Sequence, residues 1–255
     1  MVIKLKNKIK SLLLIFILLV ALSSCRLPSI SIINKNNDYV SFDTINSLEE
    51  TAALGHVRIT LSKNTPLGGD ITMGSGTIVY EDLEYYYLLT NNHVVYYEGD
   101  TRSLLYKVTD AYMNTYYAKL IKTSVDYDLA YLRIAKGDTK LHVFEFESEV
   151  NINDICIAIG DPKGQSRVYT IGRISELSPF NPIEDEESLK RSNVKFDVYT
   201  HSAKINNGSS GGALLNEKLK LIGINFASAI GSQSEEFIKG YAIPITKAIE
   251  FINKK

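Results

Sequence analysis

Two serines and three glycines lie together in the stretch INNGSSGGALLN, which runs from residue 205 to 216. Glycine gives a strand nothing to pack, so clustered glycines indicate a tight turn or a backbone that approaches another group closely. One interpretation is an ordinary surface turn. The other is a serine nucleophile, Ser210, whose flanking glycines let backbone N–H groups form an oxyanion hole. The flanking residues are Gly208, Gly211 and Gly212.

A serine nucleophile needs a base and a carboxylate that orients the base, so the second interpretation predicts both elsewhere in the chain. His93 is the candidate base, because LLTNNHVV places it where an apolar strand ends and a turn begins. Asp128 is the candidate orienting group, since in SVDYDLAYLRI it directly precedes an apolar strand, whereas Asp126 is expected to face solvent. Each residue alone has an ordinary interpretation, as a strand-end histidine or a turn aspartate. The order His, Asp, Ser favours nucleophilic catalysis.

The composition excludes several other classes of function. The chain has 255 residues, 45% hydrophobic and 22% charged, with a formal net charge of −1. This balance, without a run of five like charges, predicts no nucleic-acid partner. The four histidines and two cysteines lack the spacing of metal ligands, so we expect neither a metal site nor a cofactor. Cys156 lies in an alternating apolar stretch and is expected to be a small buried hydrophobe rather than a catalytic thiol.

The N-terminus has the pattern of an export signal. Four lysines precede an apolar run from residue 12 to 22, and the small residues SSC follow it. Because the run is short for a membrane span of about 20 residues, a signal peptide at 1–24 is favoured over an uncleaved anchor. The sequence LSSC resembles the bacterial lipobox, which implies a lipid on Cys25 and attachment to a membrane of the bacterial cell envelope. A polar, Asn- and Ser-rich tether is predicted from 25 to 46.

The rest of the chain, 47–255, is predicted to be one all-β domain. Ser47 and Glu50 have the spacing of a capping box, which predicts a short helix that ends before Gly55. Short runs rich in Tyr, Ile, Val and Thr follow at fairly even spacing, separated by turn residues. This pattern is typical of a β-barrel or β-sandwich. Only the final stretch, TKAIEFINKK, has a helical pattern.

Seven segments in order resemble the protease domain of the HtrA/Deg serine proteases, from about Gly55 to the C-terminus. They are GSGTIVY, LLTNNHVV, DLAYLRI, IAIGDPKG, NNGSSGGALLN, LIGIN and YAIPITKAI. The resemblance implies a chymotrypsin-like fold of two six-stranded barrels, at about 47–140 and 141–255, with the site in the cleft between them. It also implies a serine endopeptidase that acts on polypeptides, including unfolded or misfolded proteins.

The resemblance assigns a role to each candidate residue. His93 matches the base, Asp128 its orienting group and Ser210 the nucleophile, and the backbone amides of Gly208 and Ser210 match the oxyanion hole. One departure is Ser209, where the family more often has Asn. A second departure is that the chain ends after the final helix, so we expect no PDZ domain. The family's homotrimer stays open, because the segment that often builds the trimer interface is here mostly polar tether.

Lys204 lies six residues before Ser210, a spacing that in chymotrypsin-like proteases places a residue at the base of the primary specificity pocket. We expect Lys204 to turn outward beside a small apolar pocket closed by Ile205 and the segment 228–240. The alternative is that its ammonium group pairs with an acidic substrate side chain. The acidic segment 178–193 matches by position the family's regulatory loop. A competing function for the whole chain is a protease-like binding domain without turnover.

Overall fold

Two closed six-stranded β-barrels form the fold, as predicted. The structure is a computed structural model that describes residues 31–34, 40–64, 69–162, 167–181, 186–231 and 236–254. The predicted signal peptide and Cys25 lie outside these residues. Both barrels are built from antiparallel neighbours, and each has its own buried apolar core.

The first barrel contains β2 to β7, paired in the order β2-β3-β4-β7-β6-β5, with β5 returning to β2. Alternating exposure along β6 shows that one face of this strand packs inward and the other meets solvent. The strands are β2 His56–Lys63, β3 Asp70–Glu81, β4 Tyr85–Thr90, β5 Leu104–Thr109, β6 Thr115–Ser124 and β7 Leu129–Ala135.

The second barrel contains β8 to β13, paired in the order β8-β9-β10-β13-β12-β11, with β11 returning to β8. Its strands are β8 Ile155–Gly160, β9 Val168–Pro179, β10 Asp197–His201, β11 Ala213–Asn216, β12 Leu221–Ile230 and β13 Phe237–Pro244. A further strand, β1 at Ser31–Asn34, pairs in parallel with the start of β9. The segment predicted as tether therefore contains one strand.

The helices are short. They are α1 Phe42–Ser47, which continues through a π-helical turn at Leu48–Ala52 into α2 Ala53–Gly55, then α3 Asn92–Val95, α4 Glu186–Arg191 and α5 Ile245–Asn253. Helix α5 confirms the helix predicted at the C-terminus. The start predicted at Ser47 is wrong, because Ser41 is the N-cap and accepts a hydrogen bond from the Thr44 amide, whereas Ser47 makes no capping bond. Among the residues that the structure describes, none of these helices is long and apolar enough to cross a membrane.

The core of the second barrel contains a buried cysteine, Cys156, and a buried histidine, His201. The Cys156 thiol has no exposed surface and packs with Ala158 and Leu214, as expected for a small hydrophobe. His201 on β10 is also fully buried. Its ring fills the space beside Gly240, where an added Cβ would lie 2.3 Å from the ring carbon Cε1. Burial lowers the pKa of His201 to about 4, although the Ala203 backbone and the Asn225 side chain partly oppose this shift.

The buried His201 predicts acid-sensitive folding. Because its pKa is about 4 when folded and near 6.5 when unfolded, the unfolded chain binds the extra proton between these values. The contribution to the free energy of unfolding is therefore complete above pH 6.5 and decreases by up to about 3 kcal/mol towards pH 4. Urea denaturation at pH 7 and pH 4.5 measures this loss. The His201→Phe variant, which keeps a ring but cannot titrate, should lose less between the two pH values, and an equal loss would contradict the prediction.

Candidate active site

His93 lies on the single helical turn α3, directly after β4 has crossed the first barrel. Its ring nitrogen Nδ1 is 2.8 Å from Oδ2 of Asp128, and its backbone amide donates to Oδ1 of the same carboxylate at 3.0 Å. A carboxylate is an acceptor, so Nδ1 carries the proton and the Nε2 lone pair remains available. The His93 side chain is 28% exposed, whereas Asp128 is buried. Asp128 therefore fixes both the tautomer and the orientation of the imidazole.

The conformation of Asp128 depends on a tight turn before β7. The Asp128 amide donates to the Val125 carbonyl at 3.2 Å, and Asp128 has a φ of +46°, a left-handed conformation that Asp tolerates better than most residues. Its carbonyl accepts from the Asn91 side chain at 2.9 Å. Asp126, two residues earlier, is exposed, in line with its expected position. Of the two aspartates in this stretch, Asp128 contacts His93.

The electrostatics of the pair favour a basic imidazole. Burial of the His93 ring acts against its charged form, but the Asp128 carboxylate outweighs burial by charge and by hydrogen bonding. The pKa of His93 is therefore raised above 6.5, although the Arg191 guanidinium acts in the opposite direction.

Ser210 lies in the turn that leads from β10 to β11. The Ser209 amide donates to the Asn206 carbonyl at 2.8 Å, and Gly208 has a φ of +98°, which together give a type II turn with glycine at its third position. Within the described residues, neither the Gly208 amide nor the Ser210 amide donates to another protein group. These are the two amides predicted to form an oxyanion hole. Their N–H groups are available to an external acceptor.

The Ser210 hydroxyl lies 3.5 Å from the Phe226 carbonyl. Among the hydrogen bonds of the described residues, none joins this hydroxyl to His93. The structure thus brings His93 and Asp128 into direct contact and places Ser210 nearby on the other barrel. The site thus has two halves, the His93–Asp128 pair on the first barrel and the Ser210 turn on the second. Gly74 lies between them, since a Cβ at this position would lie 2.7 Å from Val94, the neighbour of His93, and 3.1 Å from the Ser210 carbonyl.

Strand β3 holds the Ser210 turn against the first barrel. The Ser75 amide donates to the Ser210 carbonyl at 2.8 Å, and the Thr77 hydroxyl donates to the Gly211 carbonyl at 3.0 Å. Gly211 has no room for a side chain, because a Cβ would lie 2.1 Å from the Ser75 carbonyl and 2.2 Å from the Thr90 hydroxyl. Ser75 and Thr77 were not predicted from the sequence to support the Ser210 turn. The available signal was the segment GSGTIVY, which contains both.

The two residues predicted for the specificity pocket differ in environment. Ile205 is buried beside Ala203 and Leu214, whereas Lys204 is partly exposed and forms no ion pair with any described residue. An aromatic cluster, which sequence analysis also missed, includes Phe226, the residue whose carbonyl faces Ser210. Phe226 meets Phe180 with ring centroids 4.8 Å apart. Its signal in the sequence was weak, because Phe180, just after β9, and Phe226, on β12, lie far apart along the chain.

Helix α4 and the residues after it contact the His93 half of the site. The Asn92 side chain donates to the Arg191 carbonyl at 2.7 Å, and the Asn193 amide donates to the Val125 carbonyl at 2.9 Å. The Arg191 guanidinium also lies over the Tyr96 ring. The predicted regulatory loop therefore contacts both α3 and the turn that carries the orienting carboxylate. Residues 182–185 of this loop lie outside the described residues.

The His93–Asp128 contact makes a prediction that needs no assay of activity. In the Asp128→Asn variant, burial and Arg191 still act on His93, and both lower its pKa. The His93 pKa, measured by NMR titration of the ring protons, should lie above 6.5 in the wild type and below 6.5 in Asp128→Asn. The exposed Asp126→Asn change is the matched control and should leave the titration nearly unchanged. Equal shifts in the two variants would contradict the assigned pairing.

The chain is similar in sequence to known proteins. Residues 74–224 match the trypsin-like peptidase domain family. The chain is 35% identical over 174 residues to Serine protease Do-like HtrA of Bacillus subtilis, covering 67% of this chain and 36% of that protein. It is 33% identical over 191 residues to a probable periplasmic serine endoprotease, DegP-like, of Chlamydia muridarum, covering 74% and 35%. The chain thus spans about a third of the length of either relative.

A solved structure shows the same likeness in three dimensions. The serine endoprotease from Yersinia pestis superposes with a TM-score of 0.62 at 27% identity, covering 85% of this chain and 67% of that chain.

Proposed function

Because this chain belongs to the trypsin-like peptidase family, we propose that it is a serine endopeptidase in which His93, Asp128 and Ser210 form the catalytic triad. The observation that carries the proposal is the 2.8 Å contact between His93 Nδ1 and the buried Asp128 carboxylate, which leaves Nε2 as a base. The free amides of Gly208 and Ser210 support the other half of the proposal, the oxyanion hole.

The proposed reaction is acyl transfer to Ser210 and then to water. As the Ser210 oxygen attacks a peptide carbonyl, His93 Nε2 takes the hydroxyl proton and Asp128 stabilises the resulting imidazolium. The carbonyl oxygen becomes an oxyanion that accepts from the Gly208 and Ser210 amides. His93 then gives its proton to the leaving amine. Water, deprotonated by His93, hydrolyses the acyl-enzyme and restores the serine.

One observation favours the competing function, a protease-like binding domain without turnover. The Ser210 hydroxyl lies near the Phe226 carbonyl and is not hydrogen-bonded to His93 among the described residues. In the proposed enzyme, this hydroxyl rotates about its Cα–Cβ bond towards Nε2 when substrate is bound, because catalytic hydrogen bonds often tighten only in the substrate complex. Covalent labelling of Ser210 distinguishes the two functions.

A fluorophosphonate probe should label the wild type at Ser210 and leave both Ser210→Ala and His93→Ala unlabelled at matched times. Each variant should also lose about 10⁴- to 10⁶-fold in the rate of casein cleavage, because members of a triad act as a unit. Circular dichroism should show that both variants remain folded. The Asp126→Asn variant is the control and should keep wild-type labelling. Near-normal cleavage by Ser210→Ala would contradict the proposal.

The proposed substrates are unfolded or misfolded proteins outside the cytoplasm. The Chlamydia relative is named a probable periplasmic serine endoprotease, which supports this location. Attachment to the membrane through lipidated Cys25 stays a prediction, and a homotrimer stays open. In this setting, the contacts of Arg191 and Asn193 with the His93 half support a regulatory role for the loop 178–193.

The surroundings of Lys204 predict a preference for aliphatic residues before the scissile bond. Lys204 is partly exposed, while Ile205 beside it is buried and apolar. A solvated ammonium gives an acidic substrate side chain little advantage, since exposed ion pairs contribute about 0 to 1 kcal/mol. Matched peptides with Val or Glu before the scissile bond should therefore be cleaved with the higher kcat/KM for Val. A strong preference for Glu that Lys204→Ala removes would show that the lysine contacts substrate.

A further inference from the structure

Ser75 on β3 is hydrogen-bonded to both residues of the proposed oxyanion hole. Its backbone amide donates to the Ser210 carbonyl at 2.8 Å, and its hydroxyl donates to the Gly208 carbonyl at 2.7 Å. Ser75 has no exposed surface. The segment from Gly208 to Ser210 is therefore attached at both ends to one residue of the first barrel.

The direction of the Ser75 hydroxyl bond is fixed by a second contact. The Asp161 amide, which can only donate, lies 3.1 Å from the Ser75 oxygen. The hydroxyl oxygen accepts this bond, so its own proton is free to be donated to the Gly208 carbonyl, which can only accept. The Ser75 carbonyl is also used, since it accepts from the Thr90 hydroxyl at 2.7 Å. Every polar group of Ser75 thus has a partner, and no rotation of its side chain is left free.

Asp161, whose amide donates to Ser75, has a carboxylate that pairs with basic side chains. Its side chain is 6% exposed, and its carboxylate lies 3.2 Å from Nε of Arg58 and 3.5 Å from Nε2 of His56. Both partners come from β2 of the first barrel. A continuous set of contacts therefore runs from β2 through Asp161 and Ser75 to the Gly208 carbonyl.

We propose that Ser75 is a positioning residue for the oxyanion hole. Gly208 is the residue whose amide must point at the developing oxyanion, and glycine is the residue type least restrained in φ and ψ. The Gly208–Ser209 peptide is restrained on both sides, since its carbonyl accepts from Ser75 and its N–H donates to Asn206. Without the Ser75 hydroxyl, one of these two restraints is lost and the hole is less well formed before substrate arrives. This inference rests on the proposed function, because it concerns that reaction's own hole.

The test compares Ser75→Ala with Thr77→Val. Thr77 is a matched control: it is equally buried, lies two residues along the same strand, and donates its hydroxyl to the same turn, but to Gly211 rather than Gly208. Ser75→Ala should reduce kcat on a peptide substrate by about 10- to 100-fold and change KM by less than about 3-fold. The reason is that a poorly formed oxyanion hole stabilises the transition state less but hardly affects substrate binding. Thr77→Val, which leaves the hydrogen bond to the Gly208 carbonyl intact, should reduce kcat less than Ser75→Ala does.

A peptide boronate, whose tetrahedral adduct places an oxygen in the hole, gives a readout that loss of stability alone would not move. Its affinity should fall in Ser75→Ala by about the same factor as kcat/KM, and should fall less in Thr77→Val. All constants are measured below the unfolding temperature of the least stable variant. If Ser75→Ala does not fold, Ser75→Cys, which keeps a weaker donor, takes its place and should show a smaller loss in the same direction.

The amide resonances of Gly208 and Ser210 test the proposal without any assay of activity. In Ser75→Ala they should move, or broaden, more than in Thr77→Val. Unmoved resonances, or equal losses of kcat and boronate affinity in the two variants, would overturn the role of Ser75. A wild type that neither cleaves peptides nor reacts with fluorophosphonate would instead contradict the proposed function, and the resonances would still decide whether Ser75 positions this turn.

Discussion

The close approach of the Ser210 turn to strand β3 is the constraint on which the site depends. The candidate base lies on the first barrel and the candidate nucleophile on the second, so chemistry between them requires the two backbones to meet. They meet where the Ser75 amide reaches the Ser210 carbonyl and where Gly211 lies too close to the Ser75 carbonyl for any Cβ. A side chain at Gly211 would separate the barrels, and its φ of +86° would strain any other residue type.

Burial and charge explain why the first half of the site is already assembled. Asp128 has almost no contact with solvent, and an unpaired carboxylate there would be costly. Its two oxygens accept hydrogen bonds from the ring and the backbone amide of His93. The same two bonds stabilise the buried carboxylate and orient the base. The second half depends on neutral hydrogen bonds from β3, which are weaker individually.

The sequence could predict the fold and the candidate residues, but not the contacts that hold them. Strand patterns and the order His93, Asp128, Ser210 are visible locally, because each strand and turn carries its own signal. For Ser75 the segment GSGTIVY is only a weak signal, since it shows one small hydroxyl in an apolar strand and its partner Gly208 lies 133 residues away. Strand β1 was missed for a related reason: its pairing with β9 uses backbone groups, which any side-chain pattern allows.

Helix capping shows how a correct local rule selects the wrong position. Ser41 and Ser47 both offer a hydroxyl, and only Ser47 has a glutamate three residues later, which favoured it from sequence. In the structure, the helix begins at Phe42 and passes through Ser47 without using its side chain. The helical segment that leads into β2 is therefore longer than the capping box suggested, because it begins at Phe42 rather than after Ser47.

The division of the site between two barrels has a consequence for the timing of biosynthesis. During translation, the first barrel is complete once β7 has emerged, and domains generally fold in order from the N-terminus. At that stage the chain holds the His93–Asp128 pair but no nucleophile, so it has no means of cutting itself or its neighbours. Ser210 becomes useful only after β11 and β12 are made and its turn has docked on β3. On the proposed mechanism, a chain that ends before Ser210 has no proteolytic activity, and this activity begins only when the second barrel closes.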